Sequence, residues 1–460
     1  MQKVSEFNKI TKNYQDVLLS SLKDFIAIDS TYDESTVSSD DPFGKGVSKA
    51  LDFIARLAKR DGFKVINHAN KVVEILYGEA EKNITIMAHA DVVPAGMGWE
   101  NDPFTLTEKK GILYGRGVAD DKGPLLSCYY ALKALKDNNK LGNYQVRFLV
   151  GGNEERGSLC MEYFFKTLKM KQPTLGFSPD SDFPLIYGEK GFLNFEVKKD
   201  IKLDGIISIE GGTAFNAVIE SCLVKAEVNH DLITFINKNY PDTDIKTIDD
   251  ITYFTFKGVA AHGSTPELGV NAGLKALRAL ASFYKSNDLV KFISCYEDIN
   301  GKGINAYDVS PDMGLNSLNI GLLSYDGNTL KATVNFRYVD TCDSKNLLNI
   351  IKKASKPFTV SQLSTSHLLY YPKDSLLVTT LMKAYQDETN DFTSQPLTTG
   401  GGTYAKEADN VVAFGMQFPG FQSYMHSNKE QTRKNDLFKA MDIYARAIIY
   451  LGTLIDENKV

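Results

Sequence analysis

From Gln15 to Ile28 the apolar residues Leu18, Leu19, Leu22, Phe25 and Ile26 recur at helical spacing, which predicts an amphipathic helix. A second is predicted over Gly46–Arg60, carried by Leu51, Ile54 and Leu57. The period then changes. Asn83 to Val93 reads NITIMAHADVV, an almost unbroken apolar run whose polar side chains are held back to His89 and Asp91. A parallel strand covered on both faces has this texture. Asp120 and Asp121 precede KGPLLSCYYALKAL, where the acids and Pro124 signal a helix start. Tyr144–Val150 predicts a strand running into GGNEE, and Leu175–Phe177 a short strand ending in SPD. Near the other end, Asn410–Met416 repeats the buried-strand texture before a loop containing His426 and a closing helix over Asp436–Leu454.

Between Tyr187 and Tyr371 the texture differs. Phe192–Val197, Tyr253–Phe256, Leu318–Leu322 and Thr333–Tyr338 alternate, as in an antiparallel sheet with one face covered, and Val270–Tyr284 predicts a helix across it. The fold class expected is therefore α/β: a catalytic domain with a mostly parallel sheet, interrupted by an inserted α+β domain. The boundaries predicted are 1–186 and 372–460 for the split domain and 187–371 for the insertion. At about 150 residues per domain, 460 residues accommodate this division.

Composition narrows the partners. The 52 Lys and Arg against 57 Asp and Glu give a net charge of −5 with no basic run, which excludes a phosphate-binding face for nucleic acid. No apolar stretch approaches a membrane span, and the N-terminal MQKVSEFNKITKNYQDVLL lacks the apolar core of a signal peptide. Cys128, Cys160, Cys222, Cys295 and Cys342 are odd in number and never form a CxxC, so reduced, mostly buried thiols and a cytoplasmic location are expected.

The chemistry gathers at strand ends. His89 and Asp91 stand two apart, on one side of a strand, where a carboxylate can fix the tautomer of a metal-binding imidazole. Asp120 lies after a glycine turn at a helix mouth, Glu154 and Glu155 follow a strand, and Asp180 sits in Ser178-Pro179-Asp180. Each alone has a plain explanation: a satisfied core histidine, a helix cap, a solvated turn. In an open α/β sheet, however, strand ends share one crevice. So many carboxylates would repel one another without cations between them, and zinc or manganese suits mixed imidazole and carboxylate ligands.

The series MAHADVVPAG, GRGVADDKGP, GGNEE, FSPDSDFP, AAHGSTPELGVNA, TGGGTYA and MHSNKE resembles the dinuclear-metal aminoacylase and carboxypeptidase G family of metallopeptidases, and within it the PepV-type dipeptidase branch. The resemblance covers essentially the whole chain. It implies that His89, Asp120 and Asp180 hold one divalent ion and that Asp120, Glu155 and His426 hold the other. Asp91 would orient His89, and Glu154 would be the general base. A cis peptide would follow the bridging Asp120.

The insertion would be a lid. There, His262 in Ala260-Ala261-His262-Gly263-Ser264 would polarise the scissile carbonyl, and Arg337 would grip a substrate carboxylate. Asn216 aligns with a lid asparagine, although it stands in Asn216-Ala217-Val218-Ile219 where the family usually has Asn-Met-Val-Pro. Gly400, Gly401 and Gly402 lack the Gly-Lys-Ser/Thr of a P-loop, so Gly401 is expected to line the substrate end of the cleft. His68, His230, His367 and Trp99 receive no catalytic role.

The activity expected is hydrolysis of dipeptides with a free N-terminus. The alternatives are a deacylase of N-acyl or N-succinyl amino acids and, from another class, a non-catalytic peptide-binding or metal-storage protein. The long insertion, which in this branch mimics a partner lid, implies a monomer.

Overall fold

The run Asn83–His89 is a strand buried along its whole length, as its unbroken apolar texture requires, in a computed structural model that describes residues 5–460. It lies at the centre of a sheet whose path is Lys64–His68, Val72–Tyr77, Gln145–Gly151, Asn83–His89, Leu175–Ser178, Val411–Ala413, Ile186–Glu189 and Leu369–Tyr370. The three central pairings are parallel. The flanks are antiparallel, so the parallel character expected of the sheet belongs to its centre. The cause is local at one edge: Lys64–His68 and Val72–Tyr77 are joined by a short turn with Ala69 and Asn70 at φ 54° and 52°, and a tight turn returns the chain antiparallel.

The predicted helices form as Gln15–Ile26, Lys45–Arg60, Lys122–Asp137 and Lys434–Asp456. Lys434–Asp456 packs along Lys122–Asp137, and Gln15–Ile26 packs on the same helix. Their apolar faces join the strands in one core that includes Leu22, Phe25, Ile86, Leu126, Phe148, Phe177 and Ile448.

The chain leaves this unit after Gly188 and returns at Leu369. The second unit comprises 189–368 together with Thr398–Gly401, so the glycine segment groups with it and not with its flanking chain. Its sheet is antiparallel, in the order Asp244–Ile248, Ile251–Lys257, Ser221–Glu227, Ile206–Gly211, Ser317–Tyr325, Thr329–Tyr338, Gly191–Asp200 and Thr359–Ser366. Ile251–Lys257 and Ser221–Glu227 alternate in burial, and Ala272–Tyr284 packs on both. This unit has its own core, with Val224, Phe254, Leu277 and Val334. Among the described residues no helix is long and apolar enough to cross a membrane.

Candidate metal centre

The central strand delivers His89, fully buried, to its carboxyl end. The ring Nδ1–H donates to the Asp91 backbone carbonyl at 2.9 Å, which leaves Nε2 as the nitrogen available to a metal. Nε2 stands 3.0 Å from Asp120 Oδ1 and 3.6 Å from Asp180 Oδ2. The second oxygen of Asp120 lies 2.9 Å from His426 Nε2, which is in turn 3.3 Å from Glu155 Oε1. One carboxylate therefore faces two imidazoles, one oxygen to each. Ligand atoms of His89, Glu154 and Asp180 lie within 4.8 Å of one another, as do those of His89, Asp120 and Glu155. All of these residues belong to the first unit.

Two acids are placed differently from their simplest expectation. The Asp91 carboxylate is 3.5 Å from His89 Nδ1, and its hydrogen bonds come from the backbone amides of Glu154 and Glu155, each at 3.1 Å. It is the Asp91 carbonyl that holds the ring. Asp121 occupies the N-cap position of Lys122–Asp137, yet its side chain caps nothing there. Its Oδ2 accepts from the His89 backbone amide at 3.0 Å, and its Oδ1 is buried without a partner. The Asp120–Asp121 peptide is cis.

Carboxylates outnumber imidazoles in the cluster. Burial, then the charge of Asp180, pushes the Glu154 carboxyl well above the usual carboxylate range, and burial with Asp120 raises Glu155. Partial burial lowers the pKa of His426, but the neighbouring carboxylates of Asp120 and Glu155 outweigh it and push the ring up to about 11. Burial likewise opposes the charge on His89, and Asp120 and Asp91 override it. Glu155 Oε1 is buried 3.3 Å from His426 Nε2 without a well-formed hydrogen bond, which leaves it an under-satisfied acceptor. Imidazole nitrogens with carboxylate oxygens are a donor set for zinc or manganese, whereas calcium takes oxygen ligands. The residues thus fit metal ions.

The model of Peptidase family M20/M25/M40 matches residues 85–450. The chain belongs to that family. A Staphylococcus aureus protein (strain USA300) with a provisional dipeptidase name is 33% identical over 464 residues, across 96% of this chain and 98% of its own. Among solved structures, a dipeptidase of Saccharomyces cerevisiae superposes with a TM-score of 0.60 at 19% identity, covering 97% of this chain and 98% of that one. An M20 family metallo-carboxypeptidase of Sulfolobus solfataricus does so with a TM-score of 0.59 at 18% identity, covering 95% and 99%. At these identities the superpositions establish the fold. The chain is a metallopeptidase, a hydrolase of peptide bonds.

In this M20 peptidase the other predicted residues lie in the second unit. Asn216 and His262 come together through backbone pairing: Ala217 bridges His262, and the Gly263 amide donates to the Asn216 carbonyl at 2.7 Å. His262 is exposed, with Nδ1 2.6 Å from Ser264 Oγ. Arg337 is buried, which lowers its pKa to about 10. Its Nε donates to Asn335 Oδ1 at 3.0 Å and its Nη1 to the Gly400 carbonyl, next to Gly401. The Lys190 amide also donates to Thr399 O at 3.0 Å, and together these bonds draw 398–401 into this unit. The TGGGTYA motif is therefore divided. Its Tyr404 belongs to the first unit, where the ring meets His89 edge-on with centroids 6.1 Å apart and Oη lies 2.9 Å from Cys160 Sγ.

Three residues around the centre were not singled out by the sequence. Glu430 and Arg116 form a fully buried ion pair at 2.6 Å beside Asp120. Lys122, also buried, donates to the Phe25 and Ile28 carbonyls at 3.0 and 2.7 Å, and burial lowers its pKa to about 7. All three stand inside quoted motifs, GRGVADDKGP and MHSNKE, and that was their only signal.

Proposed function

We propose that the protein is a dinuclear metal-dependent dipeptidase that hydrolyses dipeptides with a free N-terminus. The observation that carries this reading is the Asp120 carboxylate, with one oxygen 3.0 Å from His89 Nε2 and the other 2.9 Å from His426 Nε2. A carboxylate shared in this way suits two neighbouring cations. His89, Asp120 and Asp180 would hold one, and Asp120, Glu155 and His426 the other, zinc being favoured over manganese by the two imidazoles. When bound, such ions lower the pKa of water and offset the charge that develops on an attacked carbonyl.

Glu154 is the general base of this proposal: it takes a proton from water and returns it to the leaving amine. Burial raises its pKa, which strengthens it as an acceptor once ionised. Asp91 holds the Glu154 and Glu155 amides, and so fixes where base and ligand stand. In the second unit, the Arg337 fork matches a substrate carboxylate, His262 offers a donor for the scissile carbonyl, and Asn216 and Gly401 complete the substrate-binding set. The names of the S. aureus relative and the S. cerevisiae structure support dipeptides over acylated amino acids.

The test is Glu154→Ala. Turnover of dipeptides should fall by about 10²- to 10⁴-fold with metal content unchanged. Retained turnover refutes the base assignment, and a preference for N-acyl over dipeptide substrates by the unaltered enzyme refutes the substrate class.

A further inference from the structure

Four residues beyond His426 the chain buries a carboxylate completely. Glu430 is 0% exposed, and both its oxygens are turned to protein donors. Oε1 accepts from the amides of Gly117, Ala119 and Asp120 at 3.0, 2.9 and 3.2 Å, and Oε2 accepts from Arg116 Nη1 at 2.6 Å. A buried carboxylate is costly unless its lone pairs are met, and here one segment, Arg116–Asp120, meets them. The strand pairing of Gln431–Arg433 with Ile112–Tyr114 runs directly into this clasp.

Arg116 extends the clasp to a third segment. Its Nη2 donates to the Pro94 and Ala95 carbonyls at 3.2 and 3.4 Å, just beyond His89 and Asp91, and Asn428 Nδ2 donates to Met97 O at 3.0 Å. The chain pieces that carry Asp120, His426 and the His89–Asp91 pair thus meet on one ion pair. Their tethers differ, however. On the His89 side, Asp120 is already fixed through its neighbour Asp121, which accepts from the His89 amide. On the His426 side, the amide of Asp120 and the loop of His426 are joined through Glu430.

We infer that Glu430 is a positioning residue that sets the separation of Asp120 and His426, and with it the affinity for the ion that Asp120, Glu155 and His426 share. This rests on the two-ion reading above. It assigns Glu430 no contact with substrate or metal. A carboxylate that only stabilised the fold would affect both ions alike, whereas Glu430 affects one.

The experiment titrates metal-free enzyme with Zn²⁺ against a chromophoric chelator, for the unaltered protein, His426→Ala, Glu430→Gln, and Glu430→Gln combined with Arg116→Gln. The last leaves no unpaired buried charge, and so guards against misfolding of the single variant. The unaltered protein should bind two ions. Both Glu430 variants should bind one with unaltered affinity and the other about 10- to 100-fold more weakly, the range seen when a group behind a metal ligand is removed. The weakened ion should be the one lost in His426→Ala. A single ion in the unaltered protein defeats the two-ion reading itself, whatever Glu430 does. Two ions at unaltered affinity in the Glu430 variants overturn the inference alone. So does equal weakening of both ions, or loss of the thermal unfolding transition in both variants, since Glu430 would then be a general stability element.

Discussion

Asp91→Asn separates two ways in which Asp91 serves the centre. Asp91 Oδ1 accepts from the Glu154 amide and Oδ2 from the Glu155 amide, each at 3.1 Å, in a side chain where the residue is 3% exposed. Asparagine offers one carbonyl oxygen, so its NH₂ group would face one of the two amides, donor against donor. A hydrogen bond to a charged acceptor contributes about 1.5–3 kcal/mol, and a buried amide left unpaired costs about 1–3 kcal/mol. These describe the same lost contact from two sides, so the expected loss of stability is about 2–3 kcal/mol. The turn bearing Glu154 and Glu155 would shift to relieve the clash, and a displacement of about 1 Å can lower the rate about 10²-fold. His89 should be spared, because the carbonyl that holds its Nδ1 belongs to the backbone and survives the substitution. The expected outcome is a kcat on dipeptides lowered about 10²-fold, with KM changed little. Urea unfolding should show the stability loss, and a Zn²⁺ titration should show the ion at His89 and Asp180 retained. Unaltered kcat and stability would refute the role of the two amide bonds. Loss of the His89 ion with the Glu155 ion intact would instead make the carboxylate an orienter of the imidazole.

Two further predictions follow from the charges. Without cations, the pKa of His426 lies at about 11 and those of Glu154 and Glu155 lie above the carboxylate range, so each folded value exceeds the unfolded one. The stability from those protons is complete below about pH 6.5 for the histidine and about pH 4.3 for the acids, and is lost as pH rises through the folded values. Chelator-treated protein should therefore lose melting temperature between about pH 6 and pH 9 relative to zinc-loaded protein, whose ions replace the protons. A gap that narrows with rising pH contradicts this account. Arg337→Lys keeps the charge but not the planar fork, so KM for dipeptides should rise about 10-fold or more with kcat nearly constant in steady-state assays. An unchanged KM removes Arg337 from carboxylate recognition.

Local pattern sufficed for much of the fold. The buried strand Asn83–His89, the helices beginning near Lys45 and Lys122, and the alternating strands of the second unit were legible because burial on one or two faces imposes a period that needs no partner to be named. The short edge hairpin at Lys64–Tyr77 escaped, since its half-exposed first strand has no clear apolar alternation. Asp121 reads as a helix cap because caps are local, but the approach of the His89 amide gives its carboxylate another task.

The sequence by itself determined which residue types stand at strand ends and in what order, and therefore the family and the candidate donors. Only the tertiary structure decided which oxygen meets which nitrogen. Asp91 and the Glu154 amide are 63 residues apart, and Glu430 and the Asp120 amide are 310 apart. Such contacts depend on the order of strands within a sheet and on where each loop returns. Side-chain periodicity reports which face of an element is buried, and carries no information about the distant backbone group that will arrive there.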